Sequence, residues 1–229
     1  YNDLYYAIEK ISNGKHVKDF NISEITPIMT MGSMNNMQHS TPIGNIEKID
    51  GVPVYHSWIS FLMSTNTGSN NTWNLSFNYQ IRDSAGTIGN KPLYVKALSS
   101  GLSNLKSFKY NGNTYFLSLV NPNNFVTGVN TIKAYISKKS SVITTPYALA
   151  SEQFIVAITP TMPDMGNHTS PNNDALTLNT DNTYTGKINL TMTGVWNIHL
   201  VVKTPDGTVI AGGDNDDSGY SNLYWTVNI

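Results

Sequence analysis

Eight residues of this chain carry soft or borderline metal donors in two short stretches. Met29, Met31, Met34, Met37 and His39 form the first, and Met162, Met165 and His168 the second. Thioether and imidazole groups suit copper(I), which prefers soft ligands. The chain has no cysteine, so disulfides, thiolate metal sites and Cys nucleophiles are excluded and the thioethers are its softest donors. The two stretches repeat one phrase. Ile25-Thr26-Pro27-Ile28-Met29-Thr30-Met31-Gly32 returns as Ile158-Thr159-Pro160-Thr161-Met162-Pro163-Asp164-Met165-Gly166, and each is followed by a His three residues before a Pro, His39-Ser40-Thr41-Pro42 and His168-Thr169-Ser170-Pro171. Met34 and Met37 sit in an insertion peculiar to the first copy.

The repeat extends beyond these loops. Asn2 aligns with Asn130, each opening a strand-like run, Leu4 to Ile8 and Ile132 to Ile136. Tyr55 and Met63 have the spacing of Tyr184 and Met192, and Trp73-Asn74-Leu75 answers Trp196-Asn197-Ile198. A period this long indicates two tandem domains, since solenoid units are far shorter. The domains are expected over residues 1–100 and 101–229, meeting near Ser99-Ser100-Gly101 after a closing strand Leu93 to Leu98. Ahead of Asn130 lies a hairpin pattern, Ser107 to Val120 around Asn111-Gly112, a strong turn signal between alternating apolar runs. The first copy has no counterpart to it. The natural protein is therefore expected to continue N-terminally of Tyr1; the alternative is a first domain with an exposed edge.

The elements that must position the Met and His residues are strands. Short alternating segments recur between turns such as Asn13-Gly14, Asp50-Gly51 and Asp206-Gly207, and almost nothing reads as helix. Tyr184, Gly186, Ile188, Leu190 and Met192 share one strand face, and so do Trp196, Ile198, Leu200 and Val202. The fold class is all-β, two tandem immunoglobulin-like β-sandwich domains. Parity places Met63 and Met192 in the cores, His56 and Trp58 on an outer face, and His199 beside Asn197 on a solvated face. His16, in a turn, carries no signal.

Composition excludes several classes. A net charge of −1 with 13% charged residues gives no electrostatic case for nucleic acid. No apolar run approaches the length of a membrane span. There is no phosphate-binding Gly loop, no Gly-x-Ser-x-Gly and no catalytic pair of acids, so the chain does not read as an enzyme. Asp214-Asn215-Asp216-Asp217-Ser218-Gly219 offers oxygen donors of the kind calcium uses, but without the other parts of an EF-hand it reads as an ordinary acidic loop.

With Met162-Pro163-Asp164-Met165-Gly166-Asn167-His168, Tyr184-Thr185-Gly186 and Met192-Thr193-Gly194-Val195-Trp196 in view, the chain resembles the FixH/YtkA-like family of bacterial extracytoplasmic domains. The resemblance is close over 130–229 and looser over 1–98, where Thr30 replaces Pro-Asp and Tyr55-His56-Ser57 replaces Tyr-Thr-Gly. The tandem form is similar to Bacteroidetes-type lipoproteins of that family. That implies an immunoglobulin-like fold, export to the periplasm or anchorage at the outer membrane, and a lipidated Cys upstream of Tyr1 as the sole membrane attachment. The family's association with copper and terminal-oxidase assembly points the same way as the donors.

Two functional readings follow. In the first, Met29, Met31 and His39 hold one Cu(I), and Met162, Met165 and His168 a second, with Met34 and Met37 as auxiliary donors and a copper donor or acceptor as partner. In the second, the Met residues plug sandwich corners, since Met is a versatile core filler. Gly would then take φ > 0, His168 would bond to backbone, and the sheet faces would bind another envelope protein. Carbohydrate binding through Trp58, Tyr5 or Tyr110 is a weaker third reading.

Overall fold

The computed structural model describes residues 1–65, 70–82, 84–96, 104–120, 124–215 and 219–229. The domain junction predicted at Ser99-Ser100-Gly101 lies outside the described residues, as does part of the acidic loop after Asp214. No α-helix occurs among the described residues; the chain is all-β, built of antiparallel sheets.

It divides into two units. The first comprises Asn2–Ala97 with Lys139–Ala148; the second comprises Leu98–Lys138 and Leu149–Ile229, with Tyr1. Residues 139–148 thus leave the second repeat's sequence to complete the first unit. Backbone bonds hold them there: Ser40 N–H donates to Ile143 O at 2.9 Å and Tyr147 N–H to Thr41 O at 3.1 Å. Tyr147 is buried, and burial pushes its phenol pKa up.

Alternation in the first unit yields β1 (Asn2–Tyr6), β2 (Asn21–Met31), β3 (Met37–His39), β4 (Glu47–Lys48), β5 (Tyr55–Ile59), β6 (Asn71–Ile81) and β7 (Ser84–Leu93). They form two sheets, β1-β5-β4 and β3-β2-β6-β7. Tyr6, Phe20, Ile22, Ile25, Tyr55 and Leu75 make one buried cluster, and Met29, Met31 and Trp73 a second. The closing strand predicted over Leu93 to Leu98 is displaced: β7 ends at Leu93, residues 94–96 carry no strand pairing, and 97–98 lie outside the described residues.

The second unit contains β8 (Leu105–Tyr110), β9 (Asn113–Val120), β10 (Gly128–Lys138), β11 (Ile155–Met162), β12 (His168–Thr169), β13 (Asp174–Leu178), β14 (Tyr184–Leu190), β15 (Val195–Lys203), β16 (Val209–Ala211) and β17 (Tyr224–Asn228). Their hydrogen-bonded order is β16-β15-β11-β13-β14-β10-β9-β8, with β12 added to β11 and β17 to β15. Ile132, Leu176, Ile188, Leu190, Trp196 and Leu200 are all fully buried within one core. Lys138 and Tyr115 both donate to Glu152 Oε1, at 2.6 and 2.8 Å, and hold that carboxyl down to about 2.

The duplication is visible in register. Asn2 pairs with Ile59 as Asn130 pairs with Ile188, and Pro27 with Leu75 as Pro160 with Ile198. Trp73 Nε1–H donates to Met63 O at 2.8 Å, and Trp196 Nε1–H to Met192 O at 2.9 Å. The β8–β9 hairpin turns through Asn111 and Gly112, both at positive φ, and pairs with β10. Among the described residues β1 pairs only with β5, so the first unit keeps the edge that the second covers.

Three parity assignments need correction. Trp58 is buried rather than outward: residues 42–44 pair along β5, Gly44 N–H donating to Trp58 O at 2.9 Å, and the indole packs over Gly44. A Cβ on Gly44 would overlap the Trp58 indole, so this close approach requires glycine. Met63 is 40% exposed, since β5 ends at Ile59 and strand parity does not carry past it; Met192, its counterpart, is half-buried against the core. His199 is buried rather than solvated. Its Nδ1 donates to Ser221 O at 2.7 Å, which leaves Nε2 to accept from Thr161 Oγ1 at 3.0 Å. Tyr220 and Tyr224 cover its ring.

Candidate metal centre

The first Met stretch is a β-hairpin rather than a loop. β2 runs through Met29 and Met31, a 3₁₀ turn spans Gly32–Met34, Asn35 and Asn36 take φ of 54° and 55°, and β3 returns through Met37 and His39. Asn tolerates the left-handed region better than most residues, which makes Asn35-Asn36 the local cause of the reversal. Its rungs are Met31↔Met37, Thr30↔Gln38 and Met29↔His39.

Side chains directly opposite in an antiparallel pair share a face, and residues two apart on a strand share it as well. Met29, Met31, Met37 and His39 therefore stand on one face of the hairpin. Trp73, in register with Met29 on the neighbouring β6, stands on that face too. Thr30 and Gln38 occupy the other face, where Gln38 Nε2–H donates to Thr30 Oγ1 at 3.2 Å and ties the added length together.

Exposure grades along this face. Met29 is completely buried and Met31 nearly so, both packed with Trp73; His39 is half-buried and Met37 is 49% exposed. Met34 lies at the hairpin tip, exposed. The His39 ring meets Trp73 edge-on with 5.5 Å between centroids. His39 Nδ1 lies 2.8 Å from Ser40 O. A carbonyl only accepts, so Nδ1 carries the hydrogen and Nε2 keeps its lone pair, the arrangement that orients a metal-ligating imidazole. Ser40 is itself fixed, its Oγ–H donating to Pro27 O at 2.7 Å.

The second hairpin is shorter. Met162 pairs with His168 across β11 and β12, as Met29 pairs with His39. Its connection is again a 3₁₀ turn, Pro163–Met165, followed by Gly166 and Asn167 at φ of 62° and 59°. Met162 is buried in the core beside Gly194, and Met165 and His168 are exposed. Met165 thus corresponds to Met34, the tip residue, and not to Met31 as the sequence phrase suggests. The first copy's real insertion is two rungs, Thr30↔Gln38 and Met31↔Met37.

Sequence reasoning missed Met37's place on the Met29 face and the Trp73 ring beneath it. The signal was present: Met29-x-Met31 and Met37-x-His39 both have the two-residue spacing of strand neighbours. Burial also removes Trp58 from any carbohydrate surface. No group of three or more His, Asp or Glu side chains is placed to hold a metal among the described residues, so the donor set is dominated by thioether.

These features define an all-β, internally duplicated protein that presents a methionine/histidine hairpin in each copy. Residues 110–201 match the YtkA-like family. No curated protein matches the chain.

Proposed function

We propose that this is an exported, non-enzymatic protein that binds copper(I) through its two Met/His hairpins, acting in copper handling in the cell envelope with a copper donor or acceptor as partner. A lipid anchor upstream of Tyr1 is its membrane attachment in this reading. One observation carries the proposal: strand register places Met29, Met31, Met37 and His39 on a single face, with the His39 imidazole oriented to leave Nε2 as acceptor. Two thioethers and one imidazole within adjacent rungs fit a soft monovalent ion, and no thiolate competes for it. Met29, fully buried, is the floor of this face, and Met37, classed by sequence as auxiliary, becomes a principal donor.

The burial of Met29 and Met162 favours a second reading, in which the hairpins are packing corners of a module that binds another envelope protein.

Methyl-labelled methionine separates the two. The chain has eight Met residues. Under anaerobic addition of Cu(I), the εCH₃ resonances of Met31, Met37 and Met165 are expected to shift while those of Met63 and Met192 stay in place. A spectrum in which no hairpin Met responds, or in which all eight respond alike, rejects the copper proposal.

A further inference from the structure

The two hairpins descend from one sequence but present different donor sets, and we infer that they are unequal copper(I) sites: the first retains the ion and the second exchanges it. The inference rests on the copper reading above.

The hairpins share a Met–His rung, Met29↔His39 and Met162↔His168, and a five-residue connection ending on two residues of positive φ. The first then adds the rung Met31↔Met37 on the same face. Cross-strand partners have Cβ atoms about 4.5–5.5 Å apart, and neighbours two along a strand about 6.6 Å. Met31 and Met37 are therefore opposite one another, with His39 next in line behind Met37. The three rotatable bonds of Met let the half-exposed Met37 sulfur swing toward the His39 Nε2, while Met31, 6% exposed, stays packed with Trp73 beside it. Met37 and His39 stand side by side on one face with Met31 opposite Met37, the imidazole is held by Ser40 O, and Trp73 meets it edge-on.

The second hairpin has no such rung. Its third candidate, Met162, is 4% exposed, and its Cε lies only 3.0 Å from where a Cβ on Gly194 would be, so its thioether is packed into the core. Met165 and His168 remain, both exposed, one at the tip and one on the strand. The His168 imidazole has no hydrogen-bond partner among the described residues, whereas the His39 imidazole is held by Ser40 O. Two solvated, unoriented donors bind a soft ion more weakly and release it faster than a pair aligned on one face with its imidazole already held, because the ordering cost is met at binding rather than at folding. Holding a ligand through its outer partners is typically worth about 10–100-fold in metal affinity. The first hairpin is expected to bind Cu(I) at least about tenfold more tightly than the second.

The test uses the full chain, titrated anaerobically with Cu(I) against chromophoric chelators of two strengths. Alongside wild type run Met31→Leu/Met37→Leu, which keeps apolar volume and removes both sulfurs, and Met165→Leu/His168→Gln; thermal melts establish that each variant is folded. Wild type is expected to bind two equivalents in two resolved steps. Met31→Leu/Met37→Leu should lose the tight step and keep the weak one, and Met165→Leu/His168→Gln the reverse. Two equivalents of equal affinity in wild type, or loss of the tight step in Met165→Leu/His168→Gln, overturns the inequality and leaves the copper proposal standing. No competition by wild type with either chelator overturns both.

Discussion

Truncating Met162 tests whether the second hairpin's methionines divide between core and surface as the structure shows. Met162 is 4% exposed and packs in the core that contains Trp196, Ile198 and Leu200; Met165, three residues on, is 54% exposed at the tip of the turn. Replacing a buried Met by Ala removes apolar burial and leaves a cavity, at about 2–5 kcal/mol. Trp196 is held in place by its own bond to Met192 O, and Gly194 offers no side chain to collapse into the space, so the cost belongs in the upper half of that range. For a unit of this size each kcal/mol lowers Tm by about 3–5 °C, which puts the loss at roughly 10–25 °C. Met165→Ala removes little buried surface and is expected to change stability by about 0.5 kcal/mol or less. Scanning calorimetry and urea titration, with metal excluded by chelator, measure both; the change for Met162→Ala should appear in the second unit's transition. Equal losses for the two variants, or a loss above about 1 kcal/mol for Met165→Ala, would refute the burial argument. The core assignment of Met162, and with it the reduced donor set of the second hairpin, would then fall.

Gly194 takes φ +129° with Met162 Cε close behind, so Gly194→Ala should cost about 1–3 kcal/mol of backbone strain plus a steric term. In the double variant with Met162→Ala the steric part should vanish while the backbone part persists, giving measurable non-additivity in urea unfolding. The carboxyl of Glu152 is held at about 2 against an ordinary 4.5, chiefly by the Lys138 hydrogen bond. Its pKa is depressed on folding, so its contribution is present above the unfolded value and lost as pH falls from about 4.5 to about 2. Glu152→Gln should therefore melt below wild type at neutral pH and show a shallower fall of Tm through that acid window; parallel curves at every pH would count against the Lys138–Glu152–Tyr115 linkage.

Much of the first hairpin was legible in the chain. Proline at Pro27 and Pro160 and the tryptophans at Trp73 and Trp196 anchored the repeat, and the structure sets each pair in equivalent register. The Met29-x-Met31 and Met37-x-His39 spacings on either side of Asn35-Asn36 contained the hairpin as well, but the phrase Met-Gly followed by His drew the alignment of Met31 with Met165 and hid the added rungs. A linear alignment matches residue types, whereas pairing across a turn depends on where the reversal falls, and two residues of positive φ place it after Met34 and after Met165.

By itself the sequence determined what period-two alternation and local turn chemistry dictate: an all-β duplication, the inward faces of β14 and β15, the Asn111-Gly112 hairpin, and a soft donor set without thiolate. Only the tertiary structure decided what covers each outward face. The Trp58 indole packs over Gly44, the segment before β17 buries His199, and residues 139–148 complete the first unit from within the second repeat. Alternation along a strand is set by its own backbone, but burial is set by segments distant in sequence, and no local pattern records where those segments pack.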